Sequence, residues 1–243
     1  MWDEQVSAFA PRYRVIAPDA RGHGQSSTPT AFPHCDDLAV LLRHLDLGPA
    51  ILVGLSMGGG TAVDTTLEYP ELVRVLAVSG TGTSEPNFQD PWVQGIVTEW
   101  ARTQAARDLD GWIDAFLLLA CGPHRPLVDV DSAIVRPLRE MATHTVTEHA
   151  ASGPPPLVPV TDTWARIQRI TQPVLAVIGD LDSDDHIGDS DDHIGMAERL
   201  ARTVPNGREH GATGRVQRES RRLLGGGTHP NRRAEGLVRV WRS

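Results

Sequence analysis

The sequence is poor in cysteine, has no lysine and contains no long apolar run. Its two cysteines, Cys35 and Cys121, lie far apart among 243 residues, which favours a reduced protein over a disulfide-stabilised one. No stretch reaches the roughly 18 consecutive apolar residues of a membrane span. The first residues carry neither the basic nor the apolar part of a secretion signal. We therefore expect a cytoplasmic protein with no membrane partner.

Positive charge is also scarce. The formal net charge is −8, so the composition gives no reason to expect a nucleic-acid partner. All 23 basic residues are arginine, which we attribute to GC-rich coding rather than to chemistry. The charge is uneven, because residues 210–243 contain eight arginines and two glutamates, a local balance of +6. We treat residues 210–243 as an atypical, arginine-rich C-terminal segment.

Short apolar runs alternate with helical patterns over residues 1–81. Predicted buried strands begin near Arg14, Ala50 and Val73, and segments with apolar residues at helical spacing connect them. Such an alternation favours an α/β fold with a mostly parallel sheet flanked by helices. The apolar run Pro173–Gly179 predicts a further strand of the same sheet.

Residues 82–165 break this alternation with mostly helical patterns. We predict that they form a helical lid over the sheet, inserted between core segments 1–81 and 166–209. Aromatic residues of the lid either line an apolar pocket or pack the lid against the sheet, and the sequence leaves both open. These residues are Trp92, Trp100, Trp112 and Phe116.

Residues 54–58 read Gly-Leu-Ser-Met-Gly, the G-x-S-x-G pattern of a nucleophile elbow. The pattern directly follows a predicted buried strand and directly precedes a predicted helix, as the motif requires. A sharp turn there exposes the hydroxyl of Ser56, and the flanking glycines let the strand and helix backbones approach each other. The backbone N–H of Met57, at a helix N-terminus, would face a developing oxyanion. The motif therefore predicts that Ser56 is a nucleophile.

Three segments together resemble the α/β-hydrolase fold family. Tyr13–Ser26 is similar to the strand and loop before the nucleophile, Gly54–Gly59 to the nucleophile elbow, and Pro173–Asp182 to the late strand and acid loop. The resemblance extends over about residues 2–209 and includes the lid. It is greatest to esterases, enol-lactonases and cofactor-free haloperoxidases. The serine nucleophile argues against haloalkane dehalogenases and epoxide hydrolases, which use aspartate there.

This resemblance implies a serine hydrolase that acts on a small carboxylic ester or lactone through an acyl-enzyme, without a cofactor. Asp182 would orient the catalytic histidine, with Asp180 as the fallback acid. His229 is the first candidate for that histidine, because its Gly-Gly-Thr-His-Pro-Asn setting resembles the histidine loop of the family. His210 is the second candidate. The resemblance implies no catalytic role for His23, although its loop lies near the expected site.

The segment after the last predicted strand is rich in aspartate because a seven-residue stretch is nearly duplicated. Residues 183–189 and 190–196 are the two copies, which is too short for a repeat architecture. The spacing of the carboxylates resembles a calcium loop, but the turn glycine and the closing glutamate are missing, so we expect no metal. The residues concerned are Asp180, Asp182, Asp184, His186, Asp189, Asp191 and His193.

Two departures from the family pattern bear on activity. The sequence begins after the point where the family has a His-Gly loop that supplies a second oxyanion donor, so we expect an N-terminal truncation. The composition also changes abruptly after Glu209, which leads to the hypothesis of a shifted reading frame. Two alternatives to an active esterase stay open. One is a catalytically impaired or dead relative, and the other is a non-enzymatic protein that binds a small ligand. Substrate identity and oligomeric state are not predicted.

Overall fold

The structure is a computed structural model that describes residues 2–27, 31, 33–123, 126–149, 158–179, 191–212 and 236–241. No helix within these ranges is long and apolar enough to cross a membrane. In chain order the elements are α1 (Asp3–Phe9), β1 (Tyr13–Ile16), α2 (His34–Leu45), β2 (Ala50–Leu55), α3 (Met57–Glu68), β3 (Val73–Ser79), α4 (Pro91–Ala106), α5 (Leu109–Cys121), α6 (Ser132–His149), α7 (Thr163–Arg166), β4 (Val174–Gly179), α8 (Asp191–Thr203), β5 (Gly207–Ala212) and β6 (Gly236–Trp241).

The six strands form one parallel sheet with the order β1-β6-β2-β3-β4-β5. The prediction of a mostly parallel α/β sheet is therefore confirmed. Because all strands run the same way, their carboxyl ends meet at one edge of the sheet. The turn after β2 and the loops after β1 and β3 leave the sheet from that edge, which is where α/β folds build their sites.

The last strand of the chain lies in the interior of the sheet. β6 pairs with β1 on one side and with β2 on the other, so that Val238 is level with both Val15 and Ile51. The composition of residues 210–243 predicted a segment apart from the core, but residues 236–241 form a strand of its sheet. Their sequence, Gly-Leu-Val-Arg-Val-Trp, is rich in strand-forming residues. β5 likewise continues through Ala212, past the change in composition at Glu209.

Apolar side chains cover both faces of the sheet. On one face Leu38 and Leu42, four residues apart on α2, are buried against Leu52 of β2 and Leu76 of β3, as helical periodicity requires. Leu200 of α8 joins the same core. On the other face α1 contributes to a smaller cluster around Trp2 and Ile51. The two clusters pack helices against both faces of the sheet. A site would therefore lie at the carboxyl edge rather than on a face.

Helices α4, α5 and α6 form an insertion between β3 and β4, in the region where a lid is predicted. The insertion has a small apolar core of its own, in which Trp112 and Phe116 pack around Ile113, Leu117 and Ala142. The rings of Trp100, Trp112 and Phe116 lie nearly parallel, with centroids 5.8 to 6.5 Å apart. These aromatic residues therefore pack chiefly within the insertion.

We predict that Gly54→Ala destabilises the protein, because a Cβ at this position of β2 would overlap the backbone of Gly58 in α3. Backbone atoms cannot rotate away as a side chain can, so we expect a loss of about 3 kcal/mol or more in the free energy of unfolding. Gly95→Ala is the matched control. Gly95 lies in α4 with open space around it, so alanine there should stabilise the helix by roughly 0.5–1 kcal/mol. Urea denaturation of both variants tests the contact, and equal stabilities would contradict it.

Candidate active site

Ser56 occupies the sharp turn between β2 and α3, with φ 50° and ψ −122°. A positive φ is costly for a residue with a Cβ, by about 1–3 kcal/mol, and persists only where the surroundings impose it. Here the Ser56 N–H donates to the carbonyl of Ser79 at 2.9 Å, and the Ser56 carbonyl accepts from the N–H of Gly60 at 3.0 Å. The side chain is exposed. The turn thus presents a hydroxyl at the carboxyl edge of the sheet.

Small residues make this turn possible. Gly54 lies against Gly58, and a Cβ on Gly59 would overlap the methyl group of Thr81 in the loop after β3. Gly60 lies against the backbone of Ser84 in the same loop. The N-terminal turn of α3 therefore packs closely against both β2 and the loop that follows β3.

Met57 is the first residue of α3, a twelve-residue helix with no acidic residue in its first turn. Its backbone N–H belongs to the group of amides at a helix N-terminus that lack an intrahelical partner. Such amides, together with the helix dipole, favour a negative charge placed beside them. The elements of the fold therefore place an exposed hydroxyl next to an electropositive helix end.

A buried acid lies on α3, the helix that follows Ser56. Asp64 of α3 is only 5% exposed, and burial raises its pKa to about 6, an effect that Ser84 partly opposes and Glu85 and Glu68 reinforce. Asp64 was not among the residues predicted from the sequence. The signal was an aspartate in the middle of Ala-Val-Asp-Thr-Thr, a helical stretch that is otherwise free of charge.

Glu85 joins the beginning of the helical insertion to its end. Its carboxylate accepts hydrogen bonds from the backbone N–H groups of Asp162 and Thr163, at 3.1 and 2.6 Å, and its carbonyl accepts from Trp164 Nε1 at 2.8 Å. Burial raises the pKa of Glu85, but the hydrogen bonds donated by Thr163 and its neighbours outweigh that effect, and the pKa is lowered overall. The two ends of the insertion are thus held together by an ionised carboxylate.

Three of the predicted site residues, Asp180, Asp182 and His229, lie outside the described residues, and their roles stay predictions. β4 ends at Gly179, so the two aspartates follow directly in the chain after a strand at the correct edge of the sheet. Ser56 lies in the turn before α3, and Met57 is the first residue of that helix.

His210 lies within β5, level with Val177 of β4. Three strand spacings separate β5 from β2, a distance of about 14 Å between their backbones. A position inside an edge strand differs from the loop position that the family pattern implies for its catalytic histidine. His23 lies in the loop after β1 with its Nδ1 3.3 Å from the carbonyl oxygen of Arg21, and burial lowers its pKa.

The second copy of the duplicated stretch forms the beginning of α8. The Asp192 carboxylate accepts hydrogen bonds from the backbone N–H groups of Gln89 and Asp90, at 2.8 Å each, and the His193 ring lies 5.5 Å from that of Phe88. These contacts fix α8 to the segment that leads into α4. Among the described residues, no three His, Cys, Asp or Glu side chains are arranged to hold a metal ion.

Comparison with known proteins decides the family. A sequence model described as the alpha/beta hydrolase fold matches residues 1–212. The chain belongs to the α/β-hydrolase fold family. It is similar to 3-oxoadipate enol-lactonase 2 of Acinetobacter baylyi, with 29% identity over 197 residues that make up 78% of this chain and 69% of that protein. It is also similar to 2-(acetamidomethylene)succinate hydrolase of Mesorhizobium japonicum, with 32% identity over 185 residues, 70% of this chain and 62% of that protein.

Solved structures share the fold of this α/β hydrolase. A hydrolase from Pseudomonas aeruginosa superposes with a TM-score of 0.64 at 22% identity, over 93% of this chain and 84% of that one. The enol-lactonase from Burkholderia xenovorans gives a TM-score of 0.62 at 20% identity, over 91% and 82%. The family resemblance predicted from the sequence is confirmed, and the named relatives confirm the assignment of the chain as a hydrolase.

We predict that Asp64→Asn makes the stability of this hydrolase less dependent on pH. The folded-state pKa of about 6 exceeds the ordinary 3.8, so protonation favours the folded state. This contribution is fully present below about pH 4 and is lost as the pH rises through about 6. At pH 8 the variant should therefore be more stable than the wild type, by up to about 3 kcal/mol, and the difference should vanish near pH 4.

Denaturant titrations between pH 4 and pH 8 measure the effect of Asp64→Asn. Asp46→Asn is the control, because Asp46 is exposed and has φ 43°, a backbone conformation that asparagine tolerates well. A constant difference between Asp64→Asn and the wild type across the pH range would show that the buried carboxyl has an ordinary pKa.

Proposed function

We propose that this α/β hydrolase cleaves a small carboxylic ester or lactone through an acyl-enzyme on Ser56. The observation that carries the proposal is the backbone of Ser56, which holds an exposed hydroxyl at a positive φ beside the N-terminus of α3. Strain of this kind at a non-glycine residue is typical of functional sites. A serine with a purely structural role would gain nothing from a positive φ at this position, and a glycine would adopt the same backbone conformation without strain.

In the proposed reaction the Ser56 oxygen attacks the carbonyl carbon while a histidine accepts the hydroxyl proton. The Met57 N–H stabilises the negative charge that develops on the carbonyl oxygen. The same histidine donates its proton to the departing alkoxide, and the acyl-enzyme forms. Water, activated by the histidine, then releases the acid and regenerates Ser56. No step requires a cofactor.

Asp182 is the proposed acid of the triad, with Asp180 as the fallback, and His229 is the proposed base. Gly236 begins β6 at the edge of the sheet opposite to Ser56, because Trp241 at the other end of β6 is level with Gly54. The proposal for His229 therefore rests on the resemblance of its sequence setting to the histidine loop of the family. His210, placed about 14 Å away across three strands, would have to act from inside β5.

The relatives support a small carbonyl substrate. One is named as an enol-lactonase and another as a hydrolase of a substituted succinate. Both names describe cleavage of a small molecule by water, which agrees with the proposed acyl-enzyme chemistry. The structural neighbour from Burkholderia xenovorans, an enol-lactonase, supports the fold on which that chemistry would take place.

We predict that Ser56→Ala abolishes turnover of p-nitrophenyl acetate and covalent labelling by a fluorophosphonate. Removing the nucleophile of a serine hydrolase lowers kcat by about 10³-fold or more, because no acyl-enzyme can form. Ser132→Ala, at the exposed start of α6, is the control and should retain full activity and labelling. Equal rates for the wild type and Ser56→Ala would overturn the proposal.

The duplication offers a matched pair of variants for the acid. Asp182 and Asp189 each precede Ser-Asp-Asp-His-Ile-Gly, so their local sequences are the same. We expect Asp182→Asn to lower kcat by about 10⁴-fold, because the histidine loses the partner that orients it, and Asp189→Asn to leave kcat unchanged. The reverse result would assign the acid to Asp189. The corresponding pair for the base is His229→Gln, expected to be inactive, and His210→Gln, expected to be active.

A catalytically impaired relative is the second candidate function. It is favoured by the abrupt change in composition after Glu209, because the histidine loop of the family would follow that point. If the wild type shows neither a burst with activated esters nor labelling of Ser56, the chain keeps the fold without the reaction. Thermal stabilisation by small apolar ligands in that case would indicate a binding protein.

A further inference from the structure

The loop after β3 contacts the turn at Ser56 in three places. The Ser79 carbonyl oxygen, at the end of β3, accepts from the N–H of Ser56 at 2.9 Å. The methyl group of Thr81 and the backbone of Ser84 pack closely against two glycines at the start of α3. The position of this loop therefore helps to fix the backbone of Ser56.

Ser56 needs such support because its backbone is strained. A φ of 50° is unfavourable for a residue with a Cβ and persists only where several surrounding contacts impose it. If the loop moved away, the Ser56 N–H would lose its acceptor and the glycines of α3 would gain room. The turn would then relax toward an ordinary backbone conformation. Whatever holds the loop after β3 therefore also holds the Ser56 hydroxyl in place.

Trp164, near the start of α7, contacts the same loop at two further points. Its Nε1 donates a hydrogen bond to the carbonyl of Glu85 at 2.8 Å. Its ring lies so close to Gly82 that a Cβ there would overlap the Cη2 atom of the indole. The ring also packs against the apolar core that covers the sheet. The indole thus joins the loop to the core through both its N–H and its ring.

Further contacts hold the indole itself. The Arg199 guanidinium of α8 lies over the ring, 4.3 Å from its centroid, in a cation–π arrangement. The neighbouring backbone N–H groups of Asp162 and Thr163 donate to the Glu85 carboxylate at 3.1 and 2.6 Å. Glu85 therefore binds this segment with its carboxylate and Trp164 with its carbonyl. The indole cannot turn away from the loop without losing both the hydrogen bond to Glu85 and the contact with Arg199.

We propose that Trp164 is a positioning residue for Ser56, because it holds the loop after β3 against the start of α3. A shift of the indole changes the position of Gly82 and Glu85, and through the loop it changes the position of the Ser79 carbonyl that accepts from Ser56. The end of the helical insertion is thereby coupled to the turn. The catalytic consequence rests on the proposed function of Ser56, whereas the effect on the backbone of the turn does not.

We expect Trp164→Phe to accelerate amide exchange at Ser56 and Gly60, whose N–H groups form the two hydrogen bonds of the turn, by about tenfold relative to the amides of β2. The substitution keeps a ring but removes the hydrogen bond to Glu85, and one such bond is worth up to about a factor of ten. NMR of the full chain measures the exchange. Equal acceleration in the turn and in β2 would indicate a general loss of stability. That result, or no acceleration at all, would refute the proposal.

Trp100→Phe is the matched control. The Nε1 atom of Trp100 is buried and has no hydrogen-bond partner in the part of the chain that the structure describes, so the same substitution removes no bond there. Exchange at Ser56 should equal that of the wild type in this variant. Acceleration as large as in Trp164→Phe would contradict a specific role of Trp164.

Gly82→Ala tests the contact with the ring. The added methyl group would overlap Cη2 of Trp164 and come within 3.1 Å of the Met196 carbonyl oxygen, so exchange at Ser56 should again accelerate. Phenylalanine lacks the Cη2 atom, and exchange in Gly82→Ala/Trp164→Phe should therefore be no faster than in Trp164→Phe alone. Additive effects would show that Gly82 acts independently of Trp164 and would count against the proposal.

Kinetics test the catalytic consequence. We expect Trp164→Phe to lower kcat for p-nitrophenyl acetate by about tenfold with KM unchanged, because a displaced nucleophile slows the reaction without weakening substrate binding. Fluorophosphonate labelling should slow in parallel. If the wild type reacts with neither reagent, the proposed function fails and the exchange data still decide the role of Trp164. An unchanged kcat in an active enzyme would show that Trp164 does not position Ser56.

Discussion

The site depends on the close approach of one strand and one helix. β2 and α3 approach each other backbone to backbone at Gly54 and Gly58, and Ser56 in the turn between them has a positive φ. Ser56 is forced into a positive φ by this contact rather than by its own preferences. Removing the constraint would let the chain relax and turn the hydroxyl away from the sheet edge. The proposed chemistry therefore rests on two glycines that take no part in it.

The same constraint requires a continuous sheet behind it. β2 can hold its position against α3 only if its other edge is paired, since an unpaired interior strand would leave a row of backbone groups unsatisfied. β6 provides this pairing on one side and β3 on the other. A strand from the arginine-rich segment 210–243 thus supports the turn that holds Ser56. The placement of β6 affects the site through the backbone hydrogen bonds that pair β6 with β2.

The features that the sequence predicted are local ones. Each of these features has a sequence pattern that lies within about 15 residues. They are the elbow at residues 54–58, the strands around Ile51 and Leu175, and the single helices of the insertion. The position of β6 depends instead on pairing between segments more than 180 residues apart, and no local pattern records it. The raised pKa of Asp64 arises from its burial in the folded protein, and the contact of His149 with Gly24 joins positions 125 residues apart. Such properties exist only once the chain is folded.

The helical insertion packs largely as a unit of its own. Its apolar core around Ile113 and Leu117 is a cluster distinct from the one that covers the sheet. An element with its own core gains little cooperative stability from its neighbour, and its docking then depends on a few polar contacts. Such contacts include the Asp192 carboxylate of α8, which accepts from the backbone N–H groups of Gln89 and Asp90, and the Gly24 carbonyl oxygen, which lies 3.0 Å from Nε2 of His149 in α6. The placement of the insertion above the carboxyl edge of the sheet is therefore set by polar groups of the loops and of α8 rather than by a shared apolar core.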